Sequence, residues 1–289
     1  MSETQEPWTI RRVLSWTTQH FEKQSIDSAR LSAELLLAHT LKVERVKLYM
    51  ELDRPLHKDE LATYKGLVTR RLGGEPTQYL LGHKDFYNRR FAVDSRVLIP
   101  RSETELLVAE VLKRLPADAP SRVLDLCTGS GCIAVTIAAQ LPTTSVWAVD
   151  ISAEACAVAR DNAQTHQVDG RVTVMQGNLW EALPTDARFD LIVSNPPYIA
   201  SASIPTLQRE VQKEPKLALD GGENGLTLIA RIVDGALERL KPGATLALEI
   251  GDEQGEAVAG LLTRAGYHDV RVDKDLARLD RLAFGRKGQ

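Results

Sequence analysis

Apolar residues recur at helical spacing through roughly the first 72 residues of the chain, and polar residues fill the positions between them. The pattern predicts a first helix around residues 8–21, a second helix capped by Asp27 or Ser28, and a third helix over about residues 58–72. These helices would form a small bundle. We expect Trp8 and Trp16 to lie in its core rather than to bind a ligand.

A connector follows the bundle. Gly73-Gly74-Glu75-Pro76 breaks the third helix, and two short strands are expected around Asn88-Arg89. Ser102 and Glu105 have the Ser-x-x-Glu spacing of a capping box, which would open an amphipathic helix that continues to Leu112. The α/β part of the chain is predicted to begin here.

From residue 122 onward, short apolar runs alternate with helical patterns. The runs lie at residues 123–126, 145–150, 172–175, 191–193, 245–250, 270–272 and 282–284. This alternation predicts a mostly parallel sheet of seven strands with helices on both faces. Ligands of such sheets bind at the carboxyl ends of the strands, near the point where the strand order reverses.

A glycine-containing turn, residues 125–131, falls at the first of these carboxyl ends. Gly129 and Gly131 would let a ligand approach the backbone, and the following helix offers free N–H groups. A complete Gly-x-Gly-x-x-Gly is absent, because Ala134 stands at the last position, and no Walker lysine is present. NAD and nucleoside triphosphates are therefore less expected here.

Two further features follow the next strands. Asp150 ends the second strand, where its carboxylate could accept hydrogen bonds from both hydroxyls of a ribose or, alternatively, cap the next helix together with Ser152. Asn178, Leu179 and Trp180 follow the third strand, where a polar side chain could meet the edge of an adenine and an apolar one its face. An ordinary turn explains this last stretch almost equally well.

The most specific stretch is Ser194-Asn195-Pro196-Pro197-Tyr198, which follows the apolar run 189–193. Two successive prolines fix two φ angles and remove two N–H donors, so the neighbouring carbonyl oxygens are held still. Asn195 adds a side-chain acceptor, and Tyr198 adds a flat ring. Together they would form a clamp for an NH2 group, with two acceptors for its two hydrogens and an aromatic wall.

Composition narrows the class of protein. The chain has 289 residues, of which 43% are hydrophobic and 26% charged, and its net charge of −3 argues against a strongly basic nucleic-acid surface. Its three cysteines lack Cys-x-x-Cys spacing, so neither a disulfide framework nor a zinc site is indicated. Residues 1–7 are unlike a signal peptide, and no apolar run approaches the roughly 20 residues that span a bilayer. We expect a cytoplasmic protein that is not bound to a membrane.

The cofactor turn, the acidic end of the second strand and Asn-Pro-Pro-Tyr resemble those of amino-methyltransferases that use S-adenosylmethionine. More narrowly, nearly the whole chain resembles the PrmC/HemK family of protein-(glutamine-N5) methyltransferases. The stretches that carry this narrower resemblance are residues 27–39, 70–76, 79–82, 97–101, 214–219 and 221–226. The helical part and the connector are the more diagnostic ones, because many amino-methyltransferases share the other motifs.

The resemblance implies a class I methyltransferase fold, which is a Rossmann-like α/β fold, with a small N-terminal helical domain. The expected domains are a helical bundle for substrate docking over residues 1–85, a β-hairpin connector over 86–100 and the methyltransferase domain over 101–289. The implied reaction moves a methyl group from S-adenosylmethionine to the glutamine of the Gly-Gly-Gln motif in peptide chain release factors, leaving S-adenosylhomocysteine. No metal and no direct nucleic-acid substrate are implied, and a monomer is expected.

The resemblance also implies residue roles. The turn would hold the methionine end of the cofactor, and the Asp150 carboxylate would hold its ribose. The implied cofactor-binding residues are Asp125, Cys127, Thr128, Gly129, Ser130, Gly131, Asp150, Asn178, Leu179 and Asn195. The implied substrate-binding residues are Asn195, Pro196, Pro197 and Tyr198, of which Asn195, Pro196 and Tyr198 would take part in catalysis. Whether Leu179 or Trp180 packs on the adenine stays open.

The sequence departs from the family pattern at three positions. Ser102 replaces a usual proline, Cys127 stands where glycine is common, and Asn178 stands where aspartate is common. The run around Cys127 also occurs in the sister enzyme that methylates a glutamine of ribosomal protein L3. Two enzymatic alternatives therefore remain, the L3 glutamine and the amino group of a nucleobase, together with a non-catalytic binding module that kept the fold.

The implied chemistry needs no strong general base. A carboxamide nitrogen is a poor nucleophile because its lone pair is delocalised into the carbonyl. Fixed acceptors on both N–H groups would orient the nitrogen and stabilise the positive charge that develops on it, and the proton could leave afterwards. The absence of an obvious catalytic histidine is consistent with this chemistry.

Overall fold

The computed structural model describes residues 7–289. Residues 1–6, which include most of the acidic N-terminal stretch used in the expectation of a cytoplasmic protein, lie outside the described part. The chain divides into two compact units. A helical unit comprises the chain up to Gly82 together with Arg209–Lys213, and an α/β unit comprises His83–Gln208 and Glu214–Gln289.

The helical unit is built from five helices within its described residues. They are α1 (Ile10–Lys23), α2 (Ala29–Leu41), α3 (Arg45–Met50), α4 (Lys58–Leu72) and α5 (Thr77–Leu81). The three longer helices were predicted, whereas α3 and α5 are too short to show a helical period. Their shared core contains the fully buried side chains of Phe21, Leu36, Leu37 and Leu48.

The expectation that Trp8 and Trp16 lie in this core is wrong, since they are 38% and 51% exposed. The buried stripe of α1 passes through Val13, Thr17 and Phe21, so Trp16 faces outward on the neighbouring position of the helix. The Trp16 ring stacks on His20 with 4.9 Å between ring centroids. The Trp8 ring meets the Trp16 ring edge-on, with 6.5 Å between ring centroids, so the two tryptophans are surface residues in contact with each other.

One short segment from the later part of the chain belongs to the helical unit. Within Arg209–Lys213, the Glu210 carboxylate lies 2.5 Å from the guanidinium of Arg71. The Arg71 side chain is only 3% exposed, so it is a buried cation with a charged partner. Removing one partner of such a pair is costly, so this contact ties the segment to the helical unit.

The α/β unit opens with a hairpin of β1 (His83–Phe86) and β2 (Arg89–Ala92). Its turn lies at Tyr87 and Asn88, whose φ angles are 49° and 59°, one residue earlier than predicted. Left-handed backbone at both central residues is typical of the tight turn that joins two twisted strands.

The predicted capping box is also wrong. Helix α6 (Ser102–Leu112) has Arg101 at its N-cap position, so Ser102 already lies inside the helix and makes no capping bond. Glu105 instead accepts a hydrogen bond from the backbone N–H of Tyr87 at 3.0 Å. The hairpin turn has an N–H group to satisfy, and the carboxylate does so in place of closing the helix end.

Seven strands form the predicted mostly parallel sheet. They are β3 (Arg122–Leu126), β4 (Ser145–Asp150), β5 (Val172–Gln176), β6 (Phe189–Ser194), β7 (Leu240–Glu249), β8 (His268–Lys274) and β9 (Asp280–Arg286). Their order is β5-β4-β3-β6-β7-β9-β8, and β9 runs antiparallel to both of its neighbours. The prediction of the fold is confirmed.

Helices cover both faces of this sheet. They are α6, α7 (Cys132–Gln140), α8 (Ala153–Thr165), α9 (Thr227–Arg239) and α10 (Gly255–Arg264). Successive residues of β3 serve opposite cores: Val123 packs with α6 and α7, whereas Leu124 packs with α9 and α10. Within residues 7–289, no helix combines the length and the apolar character needed to cross a bilayer.

The strand order reverses between β3 and β6. The chain passes from β3 through β4 to β5 on one side, then returns to β6 on the other side of β3. Loops that leave β3 and β6 must therefore diverge to opposite faces, which opens a crevice at their carboxyl ends. The residues that follow these two strands are placed at that crevice.

Two mid-helix glycines give a matched test of the packing. A Cβ at Gly66 of α4 would meet no atom within 4 Å, whereas one at Gly235 of α9 would lie 2.1 Å from Nε1 of Trp180. We expect Gly66→Ala to raise the free energy of unfolding by about 0.5–1 kcal/mol, because alanine favours the helix. Gly235→Ala should lower it by about 1–3 kcal/mol through overpacking. Denaturant unfolding checks both, and a stabilised Gly235→Ala would contradict the contact between Trp180 and α9.

Candidate active site

A cavity of about 640 Å³ lies at the carboxyl ends of β3, β4 and β6, within the size range of small-molecule sites. Its wall brings together residues that are far apart in the sequence. Among those predicted from the sequence, it includes Cys127, Gly129, Asp150, Asn178, Leu179, Asn195 and Pro197. The cavity therefore occupies the position at which the fold is expected to bind ligands.

The turn after β3 follows a left-handed path. Cys127, Gly129 and Gly131 have φ angles of 59°, 54° and 77°. Glycine adopts such angles without strain, which fits a family pattern in which glycine is common at the position of Cys127. A Cβ at Gly131 would lie 3.1 Å from Cβ of Ala159, so this glycine also lets α7 approach α8 closely.

Asn162 of α8 holds this turn in place. Its Nδ2 donates to the carbonyl oxygen of Ser130 at 2.8 Å and to that of Ala92 at 3.1 Å. Its Oδ1 accepts from the backbone N–H of Ala92 at 2.8 Å. One buried side chain thus joins the turn after β3 to strand β2. The sequence analysis missed it, and the only signal was an amide among the small buried residues of α8.

Asp125 lies beneath the turn and is fully buried. Its Oδ2 accepts a hydrogen bond from the Thr128 hydroxyl at 2.6 Å, and Thr128 donates its backbone N–H to Val149 at 3.1 Å. Burial raises the pKa of Asp125 to about 7. In this geometry Asp125 supports the turn from below. Of the turn residues, Cys127 and Gly129 line the cavity, whereas Thr128, Ser130 and Gly131 do not.

The Asp150 carboxylate is held by two backbone donors. Its Oδ2 accepts from the N–H of Gly129 at 2.9 Å, and its Oδ1 accepts from the N–H of Ser152 at 2.9 Å. Ser152 itself caps α8, because its hydroxyl oxygen accepts from Ala155 at 3.1 Å. Burial raises the pKa of Asp150, and each oxygen keeps a further lone pair for a ligand hydroxyl.

Leu179 and Trp180 occupy different surroundings. Leu179 is buried, has a φ angle of 56° and lines the cavity. Trp180 packs on α9 at Gly235, and its Nε1 donates to the carbonyl oxygen of Arg231 at 3.4 Å. Asn178 donates to Glu181 and accepts from Arg231, at 3.1 Å in each case. The apolar surface offered to the cavity in this stretch is that of Leu179.

Asn195 follows β6 and joins the wall from the opposite side. Its Nδ2 donates to Oγ1 of Thr104 in α6 at 3.1 Å. Pro196 and Pro197 are buried, and Pro197 lines the cavity with Asn195. Tyr198 lines a neighbouring cavity of about 510 Å³. The motif therefore borders both cavities, the first through Asn195 and Pro197 and the second through Tyr198.

Glu249, at the end of β7, is a buried carboxylate that the sequence analysis did not assign to the site. It is 0% exposed, and its Oε2 accepts from the Thr104 hydroxyl at 2.7 Å. Its Oε1 accepts from the Tyr198 hydroxyl at 3.3 Å. Burial raises the pKa of Glu249 to about 7. The available signal was a single carboxylate in the otherwise apolar run 245–250.

A second missed carboxylate, Glu214, holds part of the cavity wall together. Its side chain is 1% exposed and accepts from the backbone N–H of Ile99 at 3.0 Å and from Arg101 at 2.5 Å. Residues on either side of these contacts, Leu98 and Pro215, line the cavity. The two stretches that carried much of the resemblance, 97–101 and 214–219, thus meet through one carboxylate.

Across residues 7–289, no cluster of three or more histidine, cysteine, aspartate or glutamate side chains is arranged to hold a metal ion.

Two family models match the chain. The PrmC N-terminal domain matches residues 12–82, and the methyltransferase small domain matches residues 102–223. Among solved structures, the crystal structure of a methyltransferase from Pyrococcus furiosus has a TM-score of 0.54 at 16% sequence identity. The match covers 76% of this chain and 100% of that one, and it shows the fold alone.

Curated relatives match the chain over all or most of its length. A release factor glutamine methyltransferase from Geobacter sulfurreducens is 47% identical over 100% of both chains. One from Bordetella pertussis is 44% identical over 89% of this chain and 94% of the relative. Identity at this level over both units confirms the resemblance. The chain belongs to the family of release factor glutamine methyltransferases.

Proposed function

We propose that this protein transfers a methyl group from S-adenosylmethionine to the side-chain amide nitrogen of the glutamine in the Gly-Gly-Gln motif of peptide chain release factors. The observation that carries the proposal is the meeting of the turn, the Asp150 carboxylate and the Asn195 amide on one cavity at the strand reversal. The names of the full-length relatives support the choice of substrate. The reaction supports translation termination, which occurs in the cytoplasm.

The residues of the cavity fit S-adenosylmethionine. The Asp150 carboxylate is fixed by two backbone donors and keeps lone pairs for the two ribose hydroxyls. The left-handed turn lets the methionine end lie close to the backbone, and Leu179 offers an apolar surface to the adenine. When bound, the cofactor supplies a methyl group on a positively charged sulfur, and its product is S-adenosylhomocysteine.

The Asn-Pro-Pro-Tyr segment supplies the acceptors for the substrate. Because the Asn195 Nδ2 is engaged by Thr104, its Oδ1 is the part of the amide left for a ligand. The carbonyl oxygen of Pro196 is the second acceptor, since the following proline offers no N–H group and fixes the backbone. Pro197 lines the same cavity as Asn195, and Tyr198, which lines the neighbouring cavity, is proposed to cover the substrate amide from that side.

These acceptors account for catalysis without a general base. They hold both hydrogens of the glutamine NH2 group, direct its nitrogen toward the methyl group and stabilise the charge that develops on nitrogen. A carbon–nitrogen bond forms as the carbon–sulfur bond breaks, and the nitrogen then releases one proton to solvent. Neutral nitrogen attacks a cationic centre, so the protein does not need to remove the proton first.

The helical unit is proposed to contact the rest of the release factor. It matches a family model of its own and exposes large apolar side chains, including Val46 and Met50, which are 66% and 79% exposed. Exposed apolar groups of this size favour protein contacts. The carboxylates and acceptors proposed for the reaction lie in the other unit.

Replacement of Asp150 tests the cofactor site. We expect Asp150→Ala to weaken binding of S-adenosylmethionine by about 1.5–3 kcal/mol, or roughly 10- to 150-fold in Kd, because charge-assisted hydrogen bonds to the ribose are lost. Isothermal titration calorimetry measures the change. Asp169→Ala, at an exposed aspartate of the same unit, is the matched control and should bind normally. Unchanged affinity in folded Asp150→Ala would remove this residue from the site.

A shortened protein tests the docking role. We expect a variant that begins at His83 to keep cofactor binding but to methylate a release factor with kcat/KM roughly 10- to 100-fold lower, because about 1.4–2.8 kcal/mol of binding energy is lost. Calorimetry with the cofactor shows whether the shortened chain is folded. Equal turnover by folded full-length and shortened proteins would refute docking through the helical unit.

Replacement of Asn195 tests the amide clamp and the function itself. The assay combines labelled S-adenosylmethionine with purified release factor, ribosomal protein and RNA in separate reactions, followed by mapping of the labelled residue. We expect the label on the release-factor glutamine. Asn195→Ala should slow single-turnover transfer roughly 10²–10³-fold, because one positioned acceptor is lost, while cofactor binding and melting temperature change little.

Asn195→Asp is the more selective probe of the same clamp. It keeps the shape and an acceptor but places a negative charge beside a cationic sulfur, so we expect partial activity. If Asn195 served only the turn, its loss would cost about 1 kcal/mol of stability and leave turnover per folded molecule unchanged. Near-normal transfer by folded Asn195→Ala would therefore reject the clamp, and label confined to RNA or ribosomal protein would reject the proposed substrate.

A further inference from the structure

We propose that Thr104 and Glu249 are positioning residues that hold the Asn195 amide with its oxygen toward the substrate. The inference rests on the proposed function, since the oxygen matters only if an NH2 group is the acceptor of the methyl group. Two hydrogen bonds carry it, from Asn195 Nδ2 to Thr104 Oγ1 at 3.1 Å and from the Thr104 hydroxyl to Glu249 Oε2 at 2.7 Å. We call this series the Asn195–Thr104–Glu249 chain.

Counting protons gives the Asn195–Thr104–Glu249 chain a single direction of hydrogen-bond donation. An ionised Glu249 carboxylate can only accept, so the one hydroxyl proton of Thr104 must point to it. The Thr104 oxygen then has only lone pairs left for Asn195, and only the Nδ2 end of that amide can face it. The Asn195 Oδ1 is thereby turned away from Thr104. An asparagine without this neighbour could present either end of its amide.

The burial of Thr104 and Glu249 makes the preference for this orientation of the Asn195 amide strong. Thr104 is 2% exposed and Glu249 is 0% exposed, so water has little access to the Thr104 oxygen or to its hydrogen bond with Glu249. Turning the Asn195 amide over would set its Oδ1 against a lone pair of Thr104 and leave a buried acceptor unpaired. A buried polar group without its partner costs about 1–3 kcal/mol, which strongly disfavours the reversed amide.

Protonation of Glu249 would reverse the direction of hydrogen-bond donation along the Asn195–Thr104–Glu249 chain. A neutral Glu249 can donate to the Thr104 oxygen, which frees the hydroxyl proton of Thr104 to point at Asn195. The amide would then turn its Oδ1 to Thr104 and present Nδ2, a donor, to the substrate NH2 group. This reversal predicts that the rate of methyl transfer falls as the pH drops, although the reaction itself needs no base.

The groups around Glu249 set the pH at which its carboxylate is protonated. The groups that face its carboxylate are Thr104 and Glu103 of α6, Cys132 of α7, Tyr198, and Arg281 of β9. Burial is the largest influence and raises its pKa to about 7, and the Thr104 hydroxyl and the Arg281 charge oppose it. Since the carboxylate is the active form, the transfer rate should rise with pH through about 7.

Substitution at Thr104 separates this role from packing. Thr104→Val keeps the shape of the side chain and removes the hydroxyl, whereas Thr104→Ser keeps the hydroxyl and removes a buried methyl group. We expect Thr104→Val to slow single-turnover transfer roughly 10- to 100-fold with cofactor Kd unchanged. Thr104→Ser should recover most of that rate even though its core is less well filled. Equal losses in both variants, or normal transfer by folded Thr104→Val, would overturn the inference.

A spectroscopic readout tests the same chain without any substrate. With nitrogen-15 in asparagine, the side-chain NH2 signal of Asn195 can be assigned by its loss in Asn195→Ala. We expect this signal to shift with pH around 7 in the wild-type protein and to stay constant in Glu249→Gln, which cannot ionise. A wild-type signal that does not respond to pH, or one that responds equally in Glu249→Gln, would overturn the inference.

The two readouts distinguish this inference from the proposed function. Failure of the wild-type protein to label a release factor, with an Asn195 signal that still follows Glu249, would reject the function and support the chain. Normal labelling of a release factor, with a transfer rate and an Asn195 signal that do not change on substitution of Thr104 or Glu249, would support the function. It would overturn the positioning role of Thr104 and Glu249. The pH dependence of transfer, absent in Glu249→Gln, completes the comparison.

Discussion

The site depends on the parallel pairing of β3 with β6, because that pairing sets the ends of two distant segments side by side. Leu126 pairs with Ser194 in the register of these strands, and the Ser194 hydroxyl donates to the Leu126 carbonyl oxygen at 2.6 Å. The next residue of each strand lines the cavity, Cys127 on one side and Asn195 on the other. A shift of register by one residue would turn these side chains to the opposite faces of the sheet. The turn after β3 and the Asn195 segment after β6 are thus joined at a fixed distance by sheet hydrogen bonds rather than by loops.

Three buried or half-buried carboxylates surround this junction, and burial raises the pKa of each: Asp125, Asp150 and Glu249. Their close partners are hydroxyl and backbone N–H groups, which orient a carboxylate with less neutralisation than a cation would give. Carboxylates with raised pKa values near a cleft are typical of functional sites. In its ionised form each of these carboxylates favours a positively charged ligand, and the proposed cofactor carries its reactive methyl group on a cationic sulfur.

Local pattern predicted the strands and most helices, because each of these elements buries a continuous run or stripe of apolar residues. It also predicted where the turn, Asp150 and Asn-Pro-Pro-Tyr lie in the fold, since each follows a strand directly and its place comes from that strand alone. It failed where a side chain is satisfied by a distant segment. Glu105 serves the hairpin turn rather than its own helix, and Thr104 meets Glu249 across 145 residues of sequence. Such pairings depend on how α6 packs on the sheet. The hydrophobic pattern within one segment cannot predict that packing.

The pairing of acceptors at the clamp also bears on which chemical group can react. Asn195 Oδ1 and the carbonyl oxygen of Pro196 are two acceptors, and an NH2 group supplies two hydrogens to match them. A hydroxyl group supplies one hydrogen, so one of the two acceptors would lose its partner on binding. An acceptor left unpaired in a closed site costs about 1–3 kcal/mol, and sites built to bond a given polar group reject analogues that lack it. Selectivity for an amide over the many hydroxyl groups of a protein surface then follows from keeping both oxygens exposed to the substrate, which is the condition that the Asn195–Thr104–Glu249 chain maintains.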